Sequence, residues 1–192
     1  MFVFLTNYII IVIIMQKLAI TEIKRFSLDE YKNVKKHKII VVLDNIRSLH
    51  NVGSVFRTCD AFCLKSVYLC GITSIPPHNE IHKTALGAEY SVAWKYFEKT
   101  EKALEVLKNE GYILVAVEQT DESMLLTDFK INKNKKYAFI FGNEVKGVQQ
   151  SVIDLCNSCI EIPQFGTKHS LNISISAGIV LWEVAKALSR NN

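Results

Sequence analysis

Short, dense apolar runs alternate along the chain with longer stretches in which apolar residues recur at helical spacing. Ile39 to Leu43 is continuous, aliphatic and β-branched, as expected of a strand buried on both faces. Val52, Val55, Phe56, Cys59 and Phe62 follow at a spacing that turns one face of a helix to a core. Ser66 to Leu69 then reads as a strand, Ile81 to Ala88 as a short helix or ordered loop carrying Gly87, and Val92 to Tyr96 as a strand. Thr100 to Asn109 reads as a helix with Glu101 and Lys102 in its first turn, and Tyr112 to Val117 as a strand ending at Glu118-Gln119-Thr120. Tyr137 opens another buried strand, which runs straight into Gly142-Asn143-Glu144 and a turn at Gly147. A last short strand around Ile160 stops at Pro163, and a strongly apolar helix runs to about Leu188. This alternation predicts an α/β fold, a mostly parallel sheet with flanking helices. No repeat, low-complexity tract or linker divides it, and no G-x-G-x-x-G follows a strand, which argues against an ordinary dinucleotide-binding fold.

The polar residues concentrate where strands end. After Pro163 comes a loop with Gly166 and the basic pair Lys168 and His169, and then Ser170-Leu171-Asn172 opens the last helix. Pro163 and Gly166 break regular structure, while Ser170 or Asn172 can cap the helix. The result is a ring of backbone amides and small polar side chains at the carboxyl edge of a strand, where open α/β sheets bind ligands. Asp44, Asn45 and Asn51 read as loop or cap residues after the first strand. Arg57 falls off the apolar stripe of its helix, six residues after Asn51, so both can face the same sheet edge. Taken singly, Arg57 is equally a solvated surface arginine and Glu144 an ordinary cap.

Together and in this order, three segments resemble the SpoU/TrmH branch of the SPOUT RNA methyltransferases. Asn51 to Arg57 is similar to that family's first motif, F-G-N-E-V-K-G-V to its second, and I-P-Q-F-G-T-K-H-S-L-N-I-S to its third; the likeness spans roughly residues 38 to 188. It implies transfer of a methyl group from S-adenosylmethionine to a ribose 2′-hydroxyl of RNA. It also implies a deep C-terminal trefoil knot around the second and third motifs, which forms the cofactor pocket, and a homodimer in which arginine and pocket come from different subunits. By the same resemblance Val117, Gly142, Ile162 and Leu171 line the adenine slot with Ser170 nearby. Arg57 is the catalytic residue, either base or phosphate clamp, and Asn51, Glu144 and Asn172 orient it and the ribose. The substrate implied is tRNA, with ribosomal RNA the alternative and a non-catalytic RNA-binding module the reading from another class.

Composition agrees without naming this. The chain has 192 residues, 49% hydrophobic and 22% charged, with a net charge of +4 and a pI near 8.7, a mild indication of a polyanionic partner. The charge clusters: Lys32, Lys35, Lys36, His37 and Lys38 precede the first motif, and Lys130, Lys133, Lys135 and Lys136 precede the second. Both runs stand just before core strands, so they belong at the sheet end opposite the motif loops. Five cysteines without a secretory signature suggest reduced thiols and a cytoplasmic protein. Cys156-Asn-Ser-Cys159 lacks a second pair at zinc spacing, and His78-Asn-Glu-Ile-His82 is not H-E-x-x-H, so no metal is expected.

The organisation expected is an apolar tail at 1–14, a short basic extension at 15–37 and one methyltransferase core at 38–190. The tail is too short to span a bilayer and lacks the basic region and cleavage site of a signal peptide. The expectation is therefore a start at Met15, or a disordered or self-associating appendage, with a membrane anchor as the alternative.

Overall fold

The computed structural model describes residues 16–189; the apolar stretch 1–14 lies outside them. After a first helix, α1 (Leu28–Asn33), come β1 (His37–Asp44), α2 (Leu49–Ala61), β2 (Leu64–Cys70), α3 (Asn79–Ala85), α4 (Ala88–Ser91) and β3 (Trp94–Phe97). They are followed by α5 (Thr100–Asn109), β4 (Tyr112–Val117), β5 (Met124–Leu125), β6 (Lys136–Phe141), α6 (Gln150–Ile153), β7 (Ser158–Glu161) and α7 (Ile173–Ser189). The strands form a seven-stranded sheet in the order β3-β2-β1-β6-β4-β7-β5, parallel throughout.

Side-chain alternation along the strands explains the layering. Ile39, Val41 and Leu43 of β1, with Tyr137, Phe139 and Phe141 of β6, face a core completed by α2, α3, α4 and α7. Their alternate neighbours Ile40, Val42, Ala138 and Ile140 face a smaller core under α5 and α6. The central strands are therefore continuously apolar through their middles, Ile39–Leu43 in β1 and Tyr137–Phe141 in β6, because both faces are covered. On α2 the stripe of Val52, Val55, Phe56 and Cys59 is fully buried, and Gly53 lets α3 approach closely: a side chain there would run into the Ile81 carbonyl and the Thr84 hydroxyl.

Sequence patterning misses several short elements, α1, α4, α6 and β5 among them. α1 is held by a capping box, with Ser27 Oγ accepting from Glu30 N and Glu30 Oε2 accepting from Ser27 N. β5 is two residues that take strand form only by pairing with β7. The chain order also folds back on itself, since β6 inserts between β1 and β4, and β7 between β4 and β5. That interleaving is consistent with the trefoil threading implied by the resemblance. It brings the ends of β4, β6 and β7 side by side, with Phe141 opposite Val117 and Val117 opposite Ile160. All the loops that leave these strands therefore emerge at one carboxyl edge, beside the point where the strand order reverses.

Candidate active site at the carboxyl edge of the sheet

β6 runs directly into Gly142, packed so tightly that a Cβ would overlap the backbone of Gly147 and Val148. The loop between them closes on itself. Asn143 and Gly147 bridge backbone to backbone, and Asn143 Oδ1 accepts from Val145 N at 2.9 Å and Lys146 N at 3.1 Å. Asn143 Nδ2 donates to the Asn45 carbonyl at 2.7 Å, tying this loop to the end of β1. On the other side Glu118 anchors it: Glu118 Oε2 accepts from Val148 N and Glu118 Oε1 from Gln119 N, both at 2.9 Å.

Glu144 points across to the start of α2. One carboxylate oxygen accepts from Arg47 N, and the other from Ser48 N and Asn51 Nδ2, each at 3.1 Å. Burial pushes the carboxyl of Glu144 up, but the hydrogen bonds from the Arg47 and Ser48 amides and from Asn51 together outweigh it and hold the pKa below its ordinary 4.5. A depressed carboxylate pKa contributes stability that is fully present above the ordinary value and is lost as pH falls through the lowered one. Glu144 is exposed, so solvent screens its charge, and Glu144→Gln should destabilise the protein at neutral pH by only about 0.5 kcal/mol. In urea titrations that difference should shrink below about pH 4.5; a difference that is constant with pH would show that the carboxylate charge does not matter.

The third loop, between β7 and α7, supplies the remaining wall. Asn172 is the residue that caps α7: its Oδ1 accepts from Ser174 N at 2.8 Å and Ser174 Oγ at 2.7 Å, and its carbonyl accepts from Ser176 N at 2.9 Å. Between the loops lies a cleft of about 530 Å³. Val117, Gly142, Ile162, Ser170 and Leu171 all line it, together with Glu144 and Asn172.

Asn51 and Arg57 sit differently from the reading of the sequence. Asn51 is not a cap; Ser48 is, with Oγ accepting from Asn51 N at 3.3 Å, and Asn51 lies inside α2 with its side chain buried against Glu144. Six residues along a helix is about 9 Å of rise and a rotation that leaves two side chains roughly 120° apart. Arg57 accordingly points away from the cleft, is exposed, and lines a second cleft with α1 and α4. Within one chain the structure joins Asn51, Glu144 and Asn172 to the first cleft and leaves Arg57 outside it.

Residues that the sequence marks only as loop or cap positions hold this edge together. Asp44 is fully buried at the end of β1, accepting from Thr100 Oγ1 at 2.5 Å and Asn45 Nδ2 at 2.8 Å. Asn45 adopts a left-handed conformation at φ 56° and accepts from Ile72 N at 3.1 Å. The signal in the sequence is a polar residue at or just beyond the end of an apolar strand, at Asp44, Glu118 and Asn143.

The profile of the SpoU rRNA Methylase family matches residues 38–182, which contain nearly all of β1, all of β6 and β7, and most of α7. The chain belongs to that family. It is 30% identical over 158 residues to the 23S rRNA (guanosine-2′-O-)-methyltransferase of Neisseria meningitidis, covering 82% of this chain and 62% of that protein. It is 28% identical over 165 residues to the tRNA (guanosine(18)-2′-O)-methyltransferase of Aquifex aeolicus, covering 83% of this chain and 74% of that one. Among solved structures it is similar to an AdoMet-bound rRNA methyltransferase from Sinorhizobium meliloti, with TM-score 0.74, 26% identity and coverage of 82% and 60%. The A. aeolicus TrmH/SpoU tRNA modifying enzyme gives TM-score 0.73 at 26% identity, with coverage of 83% and 81%. The chain thus spans less than two thirds of the Neisseria and Sinorhizobium proteins.

Elsewhere the structure is plain. Cys156 Sγ and Cys159 Sγ each donate to a backbone carbonyl, at 3.2 Å, and burial pushes the Cys156 thiol up to about 12. Among the described residues no group of three or more His, Cys, Asp or Glu side chains is placed to hold a metal ion. No helix among them is long and apolar enough to cross a membrane. The basic runs lie at the amino edge of the sheet, away from the cleft, but not all of their lysines are free. Lys36 Nζ sits over the Tyr31 ring and bonds its carbonyl, Lys133 Nζ donates to the Leu188 carbonyl, and Lys136 Nζ to that of Glu110. Lys35 and Lys38 remain exposed.

Proposed function

We propose that this protein is an S-adenosylmethionine-dependent RNA ribose 2′-O-methyltransferase, acting as a homodimer in the cytoplasm, with tRNA as the preferred substrate and ribosomal RNA as the alternative. The observation that carries the reading is the gathering of Val117, Gly142, Ile162, Ser170 and Leu171 around one cleft, with Glu144 and Asn172 on its rim. The cleft suits an adenosine. It combines apolar side chains from β4, the end of β7 and the α7 loop with a wall of bare backbone at Gly142, where a side chain would not fit. When bound, the cofactor supplies a methyl group on a sulfonium, whose transfer is a substitution at carbon that asks for in-line alignment more than for an acid.

The protein's own residues then have to position and activate the ribose. A guanidinium with pKa above 12 is a reluctant base, so Arg57 serves better as a planar clamp on the neighbouring phosphate that also steadies the developing alkoxide. Because Arg57 faces away from its own cleft, it serves the cleft of a second copy. Asn51 and Glu144 fix α2 to the rim of one cleft and so hold Arg57 rigidly for the other. An exposed apolar surface supports such a pairing: on α7, Ile175 and Trp182 are 54% and 55% exposed, and Val145 and Phe165 stand free beside the cleft. Burying that surface in a partner would be favourable.

Mixing two inactive variants tests the arrangement. Arg57→Ala and Gly142→Ala chains, unfolded and refolded together, should regain methyl transfer that neither has alone, because each mixed dimer holds one intact composite site. No recovery, with mixed dimers shown to form, would place arginine and cleft in the same subunit.

The amino edge should add affinity without chemistry. Each phosphate neutralised contributes about 0.7–0.9 to the slope of log affinity against log salt. Lys35→Gln with Lys38→Gln should therefore flatten the slope for RNA by about 1.5 units and leave cofactor affinity unchanged. An unaltered slope would reduce this run to a solvated lead-in to β1.

A further inference from the structure

The second cleft, of about 1250 Å³, lies between the segment leading into α1, the outer face of α2 and the α3–α4 corner. Its surface combines exposed aromatic side chains with cations. Phe26 and Tyr90 are 61% and 58% exposed, and Leu86 is exposed beside them. Lys24, Arg25 and Arg57 line the same recess. None of the three forms an ion pair with another described residue. The carboxylates nearby are committed to the scaffold. Asp60 Oδ1 accepts from Ser91 Oγ at 2.5 Å, and Glu30 closes the capping box of α1.

The corner that presents Tyr90 is built to be rigid. Leu86 is held in the left-handed region at φ 51°, which disfavours residues with a side chain, and Gly87 follows at φ 95°. Glu89, only 5% exposed, ties the corner down: its Oε1 lies 2.5 Å from His82 Nδ1 and its Oε2 accepts from Gly87 N at 3.0 Å. The imidazole of His82 lies against the Tyr90 ring, with centroids 6.1 Å apart. A buried carboxylate and a strained backbone thus serve to hold an aromatic ring out of the core, among cations. Backbone strain of this kind collects where a surface is used.

We propose that this cleft holds an unstacked nucleotide of the RNA substrate, its base against Tyr90 and Phe26 and its phosphate on Arg25 and Arg57. The inference rests on the reading of the protein as an RNA enzyme and extends the phosphate contact at Arg57 to the base beside it. Unstacked bases are recognised by aromatic faces and guanidinium planes, and charge complementarity favours the polyanion over an apolar protein segment. Tyr90 and Phe26 are then residues that choose which nucleotide can reach Arg57.

The test measures anisotropy with two labelled RNAs, an unmodified tRNA transcript pool and a short oligouridylate, using the full chain. Tyr90→Ala should weaken binding of both by about 5- to 140-fold, the range for one lost base stack. Tyr90→Phe should bind within twofold of wild type, and cofactor binding by calorimetry should be the same in all three proteins. Wild-type affinity in Tyr90→Ala would overturn the proposal. So would a change in sedimentation from dimer to monomer, which would make the cleft a subunit interface. Photocross-linking of 4-thiouridine RNA to the wild-type chain provides a second readout should the variant misfold: adducts on Tyr90 or Phe26 support the site, and adducts confined to the first cleft or the amino edge exclude it. If wild type binds RNA through Tyr90 but transfers no methyl group, the enzymatic reading fails and the nucleotide site stands.

Discussion

Replacing Arg57 by alanine should lower methyl transfer to RNA by a factor of about 10² to 10³, the loss seen when one preorganised donor to a developing oxyanion is removed. The affinity for S-adenosylmethionine should stay within a few-fold of wild type, since Arg57 lies outside the cleft formed by its own chain. The variant should also fold normally, because the side chain is exposed and pairs with no described carboxylate. Arg57→Lys should rescue poorly: a compact ammonium cannot grip a phosphate with two parallel hydrogen bonds as a planar fork can. Single-turnover transfer rates, measured beside cofactor calorimetry, separate these effects. Near-normal transfer by either variant would remove Arg57 from the chemistry.

Gly142→Ala should do the opposite, weakening cofactor binding first. The new methyl group would meet the Gly147 carbonyl carbon and oxygen and the Val148 amide, all backbone atoms that cannot turn aside. The loop must move as a unit, and it carries Glu144 on one flank and the Glu118 anchor at Val148 on the other. Overpacking of this kind costs typically 1–3 kcal/mol of stability. We expect that loss in thermal unfolding, together with a rise of at least about tenfold in the dissociation constant for S-adenosylmethionine, equivalent to 1.4 kcal/mol. Wild-type cofactor affinity would show that the β6 loop is not a wall of the binding site.

Much of this geometry was legible because it is local. Thr100–Asn109 and Tyr112–Val117 appear as helix and strand with the very bounds their patterning suggests, each set by a clean period and a break at Gly111. The loop residues of the cleft were legible for the same reason, since a glycine or polar residue directly after an apolar strand must sit at its carboxyl end. What failed was non-local or rotational. β5 has only two residues, too few for any period, and exists through its partner β7. The position of β6 between β1 and β4 depends on threading, which no local pattern encodes. Asn51 and Arg57 were placed together by closeness in sequence, whereas the helix turns one inward to Glu144 and the other out to a different cleft. Ser48, three residues before Asn51, is the cap, and the Ser27–Glu30 box ahead of α1 carries a local signature of S-x-x-E that marks a helix start. The misdirected arginine is informative in itself, because an active site that needs Arg57 then needs a second chain.

The measurement that bears most directly on the function is the chemical position of the transferred methyl group. A methylated 2′-hydroxyl can no longer attack the adjacent phosphate, so the linkage survives alkali, whereas a base-methylated nucleotide is released as a monomer. Purified protein incubated with methyl-labelled S-adenosylmethionine and an unmodified tRNA pool should leave its label in alkali-resistant dinucleotides, and the Arg57→Ala protein should leave almost none. Label in alkali-released mononucleotides, or no transfer to tRNA or ribosomal RNA by a protein that binds the cofactor, would contradict the assignment of ribose methylation to this site.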